Sequence, residues 1–424
     1  MENEIIIHQS VRGESHIQRG TPKEDAADCG RFGDRIIGIV SDGHGDRRCM
    51  RSEIGSRMAV EITMEILKEW DMQAAFETDG LFEDQIHILA RKIIEGWTQA
   101  VTAHFQENPL TETELKEAGN LLGFYQKGEK ISHIYGATLI AFLQMQDKLL
   151  LLQKGDGHAF VINRQGETED DVISWDIIPW DSRCLLNVTT SLCDDDAADS
   201  FTWRLITGSE LENIAAVMIG SDGVEDSFPN LEMAGTYYGT LAVACAENGA
   251  EETERALEQD LAKMSRNGSN DDISIAGLVY ADRILPLKHL LETKKEIGEL
   301  NLKRESLKSR ISSMNSAFSR REQIVHENEE KLKRYQSETI EKEDQKEKLE
   351  QQIEMLEQLQ LLPLKLSLDQ RKSEEEKLQR EVDESIQAYN DYKEKLDAKK
   401  KEYDELCDQI KTLKSSSFEN EENG

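Results

Sequence analysis

Six apolar runs punctuate the first 285 residues: RIIGIVSD (35–42), ATLIAFLQ (137–144), KLLLLQKGD (148–156), HAFVINRQG (158–166), AAVMIGSDG (215–223) and DISIAGLVY (272–280). Each has strand-like content and closes on turn residues. The runs at 137–144 and 148–156 are separated by a short polar gap and predict a hairpin. Helical periodicity lies between the runs, at 51–69, 83–106 and 251–266. Strands joined this tightly favour antiparallel pairing, so the pattern predicts an α+β layered domain over residues 1–284 rather than a doubly wound parallel sheet.

After Pro286 the period changes to seven. With Leu290 as the first a position, Ile297, Ile311, Phe318, Val325 and Leu332 follow on a, and Leu300, Leu307, Met314 and Tyr335 on d. Thirteen of the 21 a and d positions between 290 and 360 are apolar, against 7 of the other 50, which favours a coiled-coil seam over a generic charged helix. Pro363 should interrupt the helix. A second seam follows through Leu378, Val382, Tyr389, Tyr392, Leu396, Tyr403, Leu406 and Ile410. Two helices about a proline bend suggest an antiparallel hairpin over 285–414, its longer first arm leaving some seam for another chain. The end, 415–424, has the composition of a disordered tail.

Composition sharpens this boundary. All five Trp fall before residue 285, and beyond it Glu, Lys, Gln and Leu dominate. The formal net charge is −33, which argues against nucleic acid or anionic membranes as partners. Cys29, Cys49, Cys184, Cys193, Cys245 and Cys407 are scattered without a C-x-x-C pair, suggesting neither a zinc site nor a disulfide framework. The start, MENEIIIHQS, shows no leader pattern and no run has the length of a membrane span, so a cytoplasmic protein is expected.

Four acidic motifs sit at strand ends or adjoining turns: KEDAAD (23–28), SDGHGD (41–46), GSDGVED (220–226) and SNDDIS (269–274). Hard divalent cations need several carboxylate oxygens, and carboxylates at the tips of neighbouring strands can converge from distant parts of a chain. Glycine after Asp42 and Asp222 permits a tight turn with a backbone carbonyl as an extra ligand. The Asp194-Asp195-Asp196 run reads instead as a solvated loop. His44, between two glycines, is poorly explained by packing. His8, His87, His104, His133 and His158 read as ordinary residues; His16, shortly before the acidic pair, is placed near the site.

The ordered series Glu24-Asp25, Asp42-Gly43-His44-Gly45, Tyr135-Gly136-Ala137-Thr138, Gly155-Asp156, Asp222-Gly223-Val224-Glu225-Asp226 and Asp271-Asp272-Ile273-Ser274 resembles the metal-dependent protein phosphatases of the 2C type, in their compact bacterial form. The resemblance spans about residues 8–281. It implies a four-layer α-β-β-α sandwich of two antiparallel sheets, and hydrolysis of protein phosphoserine or phosphothreonine with two Mg²⁺ or Mn²⁺ ions and a third, weaker one. By the same resemblance Asp42 bridges two metals, Asp222 and Asp271 complete one site, and Glu24 with the Gly43 carbonyl serves the other. Asp25 orients a metal-bound water, Asp156 and Asp226 join Asp222 around the third ion, and His44 protonates the leaving alkoxide. The phosphate-binding arginine of the family has no aligned counterpart: Gly20 stands in its place, leaving Arg19 or Lys23 as candidates. Relatives often oppose a Ser/Thr kinase, so a phosphoprotein substrate of such a kinase is the expected partner. Two other classes stay open: a catalytically silent domain that keeps the fold, and a coiled-coil protein of oligomerising or structural function.

Overall fold

Every residue of the strands Leu139–Met145, Lys148–Lys154, Ile214–Gly220 and Ile273–Tyr280 is buried, which is why these segments read as continuous apolar text rather than as alternation. They belong to a computed structural model that describes residues 3–77, 82–166, 172–175, 177–184, 188–355 and 362–419. The chain divides into two units, Met1–Lys295 and Glu296–Gly424.

Ten strands build the first unit among the described residues: β1 (Glu4–Val11), β2 (Ala26–Phe32), β3 (Arg35–Ser41), β4 (Leu139–Met145), β5 (Lys148–Lys154), β6 (His158–Asn163), β7 (Ile173–Ser174), β8 (Thr202–Thr207), β9 (Ile214–Gly220) and β10 (Ile273–Tyr280). They form two five-stranded sheets, ordered β1-β10-β9-β6-β7 and β2-β3-β4-β5-β8, with antiparallel pairing throughout. The predicted hairpin is β4–β5, closing at Gln146–Asp147 with Gln146 at φ 52°.

Between the sheets, Val40, Phe142 and Leu149 pack with Val161, Val217, Ile219 and Leu278. Helices Ser52–Glu69 and Phe82–Glu107 cover the outer face of the β3 sheet, with Ala59, Leu67, Ile93 and Trp97 against Ile37, Ala141 and Leu150. Helices Leu231–Asn248 and Ala250–Asn267 cover the β10 sheet through Tyr238, Ala242, Leu257 and Leu261 against Phe160, Met218 and Ile275. The order of layers is α-β-β-α, as the motif series implied. Each large side chain so enclosed contributes roughly 2 kcal/mol of transfer free energy. Three packed interfaces of this kind hold the strand ends in fixed relation.

The elements that the apolar pattern did not mark are those with a weaker signal. Strands β1, β2 and β8 lie at sheet edges and stay half-exposed, so polar residues interrupt them. Helix Leu231–Asn248 is buried nearly all round and rich in Gly, Ala and Tyr; a Cβ at Gly235 would meet Ile173 Cγ2 at 2.7 Å. Such a helix has no polar stripe to reveal its period.

The second unit consists of helix, in the segments Lys288–Met355 (whose first turns belong to the first unit) and Leu362–Glu419. The two run antiparallel: Phe318 packs on Tyr389 at 4.4 Å between ring centroids, and the Arg321 guanidinium lies 4.0 Å from the Tyr392 ring. Further along, Arg371 covers Tyr335 at 4.0 Å and pairs with Glu338, while Lys372 meets Glu343 at 2.7 Å. Leu307, Val382, Leu396, Leu406 and Ile410, all at predicted seam positions, are buried. Pro363 stands second in the returning helix, where a missing N–H costs nothing, and residues 356–361 lie outside the described residues. Helix continues to Glu419, past the predicted end at 414, because the Ser415–Ser417 run contains no helix breaker; 420–424 lie outside the described residues. No helix among the described residues is long and apolar enough to cross a membrane.

Candidate active site

The carboxylates gather where strands of both sheets end. Asp42 follows β3, and its N–H donates to Thr138 Oγ1 at 3.0 Å while Thr138 N–H returns a bond to the Asp42 carbonyl at 2.8 Å. Asp222 follows β9 and opens the short helix Asp222–Glu225 that leads to Asp226. The ends of β9 and β10 are tied by Ser221 N–H to the Ser274 carbonyl and Ser274 N–H to Ser221 Oγ, both at 3.0 Å. Asp271 precedes β10, Asp156 sits between β5 and β6, and Glu24-Asp25 precede β2. Gly43 is where chain segments touch: a Cβ there would stand 2.6 Å from the Glu24 carbonyl oxygen and 2.8 Å from that of Ser52.

All ten residues singled out from the sequence (Arg19, Glu24, Asp25, Asp42, Gly43, His44, Asp156, Asp222, Asp226 and Asp271) line one cleft of about 960 Å³. Lys23, the other phosphate-binding candidate, turns away, with Nζ 2.7 Å from Ser10 Oγ and 3.2 Å from the Ser10 carbonyl oxygen.

Packing this many carboxylates together costs free energy in the absence of cations. Burial, then the neighbouring Asp272, pushes Asp25 up to about 8, and its buried Oδ2 has no hydrogen-bond partner. Burial and then Asp25 and Asp222 hold Asp42 well above the usual carboxylate range. Burial and Asp156 raise Asp222 to about 7, and burial raises Glu24 to about 7 against the opposing pull of His16. Among the described residues no three His, Cys, Asp or Glu side chains already stand as a coordination cage. The donor set nevertheless fits hard divalent ions: it is oxygen only and mutually repulsive, and beside it stands the orphaned Asp25 carboxylate oxygen.

A pH dependence of stability follows. In the metal-free fold Asp25 and Asp222 keep protons that the unfolded chain releases near its ordinary pKa of 3.8. The folded state therefore binds more protons across that window, and stability falls as pH rises from about 4 towards 8, by at most about 1.4 kcal/mol per pH unit for each group. The melting temperature in chelator should drop between about pH 5 and pH 8, and saturating Mn²⁺ should flatten the profile. A chelated protein equally stable at both ends would contradict this electrostatic picture.

His44 is partly buried; its backbone N–H donates to the Gly136 carbonyl at 3.1 Å, and its Cδ2 would lie 2.8 Å from a Cβ at Gly136. Burial pushes its pKa down, while Asp156, Asp194 and Asp46 pull the other way. Asp46 is committed to Arg48 through contacts of 2.7 and 2.9 Å, which hold its pKa near about 2.

Three residues differ from their sequence reading or were given no role. Asp195 and Asp196 are exposed, as a solvated loop requires, but Asp194 is partly buried: it lines the cleft, accepts from Ser191 N–H at 2.8 Å and stands 3.4 Å from the buried Lys154 ammonium. A lysine closing an apolar strand must find an anion, and that is the signal that points to Asp194. His133, taken as an ordinary residue, also lines the cleft, with Nδ1 3.8 Å from Cys193 Sγ. Asp272 is almost fully buried and accepts from two distant backbone amides at 2.5 Å. Nothing in an Asp-Asp pair says which member faces solvent until the strand direction is known.

The sequence profile of the family described as Protein phosphatase 2C matches residues 12–264. The chain belongs to the protein phosphatase 2C family. No curated protein sequence is detectably similar to it. Among solved structures, a bacterial serine phosphatase is 15% identical, covering 65% of this chain and 97% of its own at a TM-score of 0.39. PppA of Pseudomonas aeruginosa is 15% identical over 65% of this chain and 99% of its own, TM-score 0.39. The catalytic domain of the serine/threonine phosphatase PstP, solved with two manganese ions, is 14% identical over 65% and 97%, TM-score 0.39. The phosphatase 2C match ends before the helical unit begins.

Proposed function

We propose that this phosphatase 2C domain hydrolyses phosphoserine and phosphothreonine on proteins with the help of Mg²⁺ or Mn²⁺. One observation supports it above all: acidic residues from both sheets, together with His44, share a single cleft although they are spread from Glu24 to Asp271 in sequence. Asp42, Asp222 and Asp271 would hold one ion, Asp42, Glu24 and the Gly43 carbonyl a second, and Asp156 and Asp226 with Asp222 a weaker third. Ions held there supply water activation near neutral pH and neutralise charge on the phosphoryl group.

The remaining steps belong to the chain. Asp25, with its free Oδ2, accepts a hydrogen bond from the attacking water and orients it for in-line displacement. Arg19, exposed on the cleft wall, receives phosphate oxygens. The His44 imidazole gives a proton to the serine or threonine alkoxide as it leaves. The substrate is a product of a Ser/Thr kinase, and the helical unit serves association, with itself or with a partner protein.

Full-length protein should release phosphate from a phosphothreonine peptide with Mn²⁺ and stop on addition of chelator. No turnover by correctly folded protein across a range of Mn²⁺ and Mg²⁺ concentrations would sink the proposal.

A further inference from the structure

We infer that Asp272 is a positioning residue whose carboxylate clamps the Glu24-Asp25 turn to the start of β10, setting the spacing between acidic residues from opposite ends of the domain. The inference rests on the metal-holding assignments proposed above. Asp272 Oδ1 accepts from Gly13 N–H and Oδ2 from Glu24 N–H, both at 2.5 Å, across sequence separations of 259 and 248 residues. The Asp25 N–H makes a longer contact with Oδ2 at 3.4 Å. His16 closes the arrangement, with Nδ1 3.2 Å from the same oxygen and 3.0 Å from the Pro22 carbonyl oxygen. Both neighbours of Nδ1 are acceptors, so that nitrogen carries the proton. Its other nitrogen faces Glu24 Oε2 at 3.9 Å and Asp271 Oδ1 at 3.8 Å, so the ring touches carboxylates of both segments.

The fit is close. A Cβ at Gly13 would run into the Asp271–Asp272 peptide, so the N-terminal segment meets the β10 end in backbone contact. With Asp272 almost fully buried and both its oxygens engaged by amides, its main task is to hold Glu24 and Asp25 against Asp271 rather than to bind an ion. A side chain without acceptor oxygens would leave both the Gly13 and the Glu24 amides unsatisfied in a buried site.

The test uses the full chain with Asp272→Ala, with Mn²⁺ binding followed by calorimetry and the exchange of the Gly13 and Glu24 amides by hydrogen–deuterium exchange. Mn²⁺ affinity should weaken by about 10- to 100-fold, with turnover largely recovered at saturating Mn²⁺ and both amides losing protection. Unchanged affinity together with unchanged protection overturns the inference. If the parent protein binds no Mn²⁺, the metal assignments fail, and amide protection alone decides the clamp: lost in the variant supports it, retained refutes it. Should Asp272→Ala not fold, His16→Gln, which disturbs the clamp from one side, takes its place. A smaller shift in the same direction is then expected, and none overturns the inference.

Discussion

Asp42→Asn should lower Mn²⁺-dependent hydrolysis of a phosphothreonine peptide by about 10³-fold or more, the equivalent of several kcal/mol of lost transition-state stabilisation. Asp42 sits at the end of β3, with Asp25 and Asp222 as its charged neighbours, and is the proposed ligand of both principal ions. Asparagine keeps its volume, and the backbone bonds between Asp42 and Thr138 do not involve the altered group, so the fold should survive. A second readout separates loss of metal from loss of structure. Without metal, the variant should melt higher than the parent because one member of a repelling cluster has been neutralised. With Mn²⁺ it should gain much less than the parent, since stabilisation by a ligand follows the logarithm of its concentration over its dissociation constant. A variant with parental activity at matched Mn²⁺ would remove Asp42 from the centre of the site.

His44→Ala should divide two substrates. Turnover of a phosphoserine peptide is expected to fall by about 10²- to 10⁴-fold, the range for removal of a positioned general acid. Hydrolysis of p-nitrophenyl phosphate should change far less, because its leaving group departs without a proton. His44 is anchored through its backbone bond to Gly136, so the truncation leaves the turn in place. Mn²⁺ affinity should stay near the parental value. Equal losses on both substrates would mean that the imidazole shapes the cleft rather than donating a proton.

How legible the molecule was depends on where each residue sits. Strands β4, β5, β9 and β10 are enclosed on both faces, so only apolar side chains satisfy them, and their text is unambiguous. Strand β2, half-exposed at an edge, tolerates Asp28 and Arg31 and reads like a loop. The acidic residues could be chosen in advance because Asp-Gly pairs and strand ends leave a signature in the text. The position of Asp194 and the partners of His16 could not, since these are supplied by Lys154 in one case and by Asp272 in the other, both remote in sequence. Asp271 and Asp272 are chemically identical neighbours with opposite fates, one exposed towards the cleft and one tied to amides, decided by how the chain turns into β10.

The antiparallel helices of the second unit carry an evolutionary consequence. Tyr389 must meet Phe318, and Tyr335 must meet Arg371, so the two arms are read against each other like the teeth of a zip fastener. Seven residues added to one arm alone would slide every later pair out of register. Growth or shortening of this unit among relatives should therefore occur as matched insertions or deletions in both arms, mirrored about the turn.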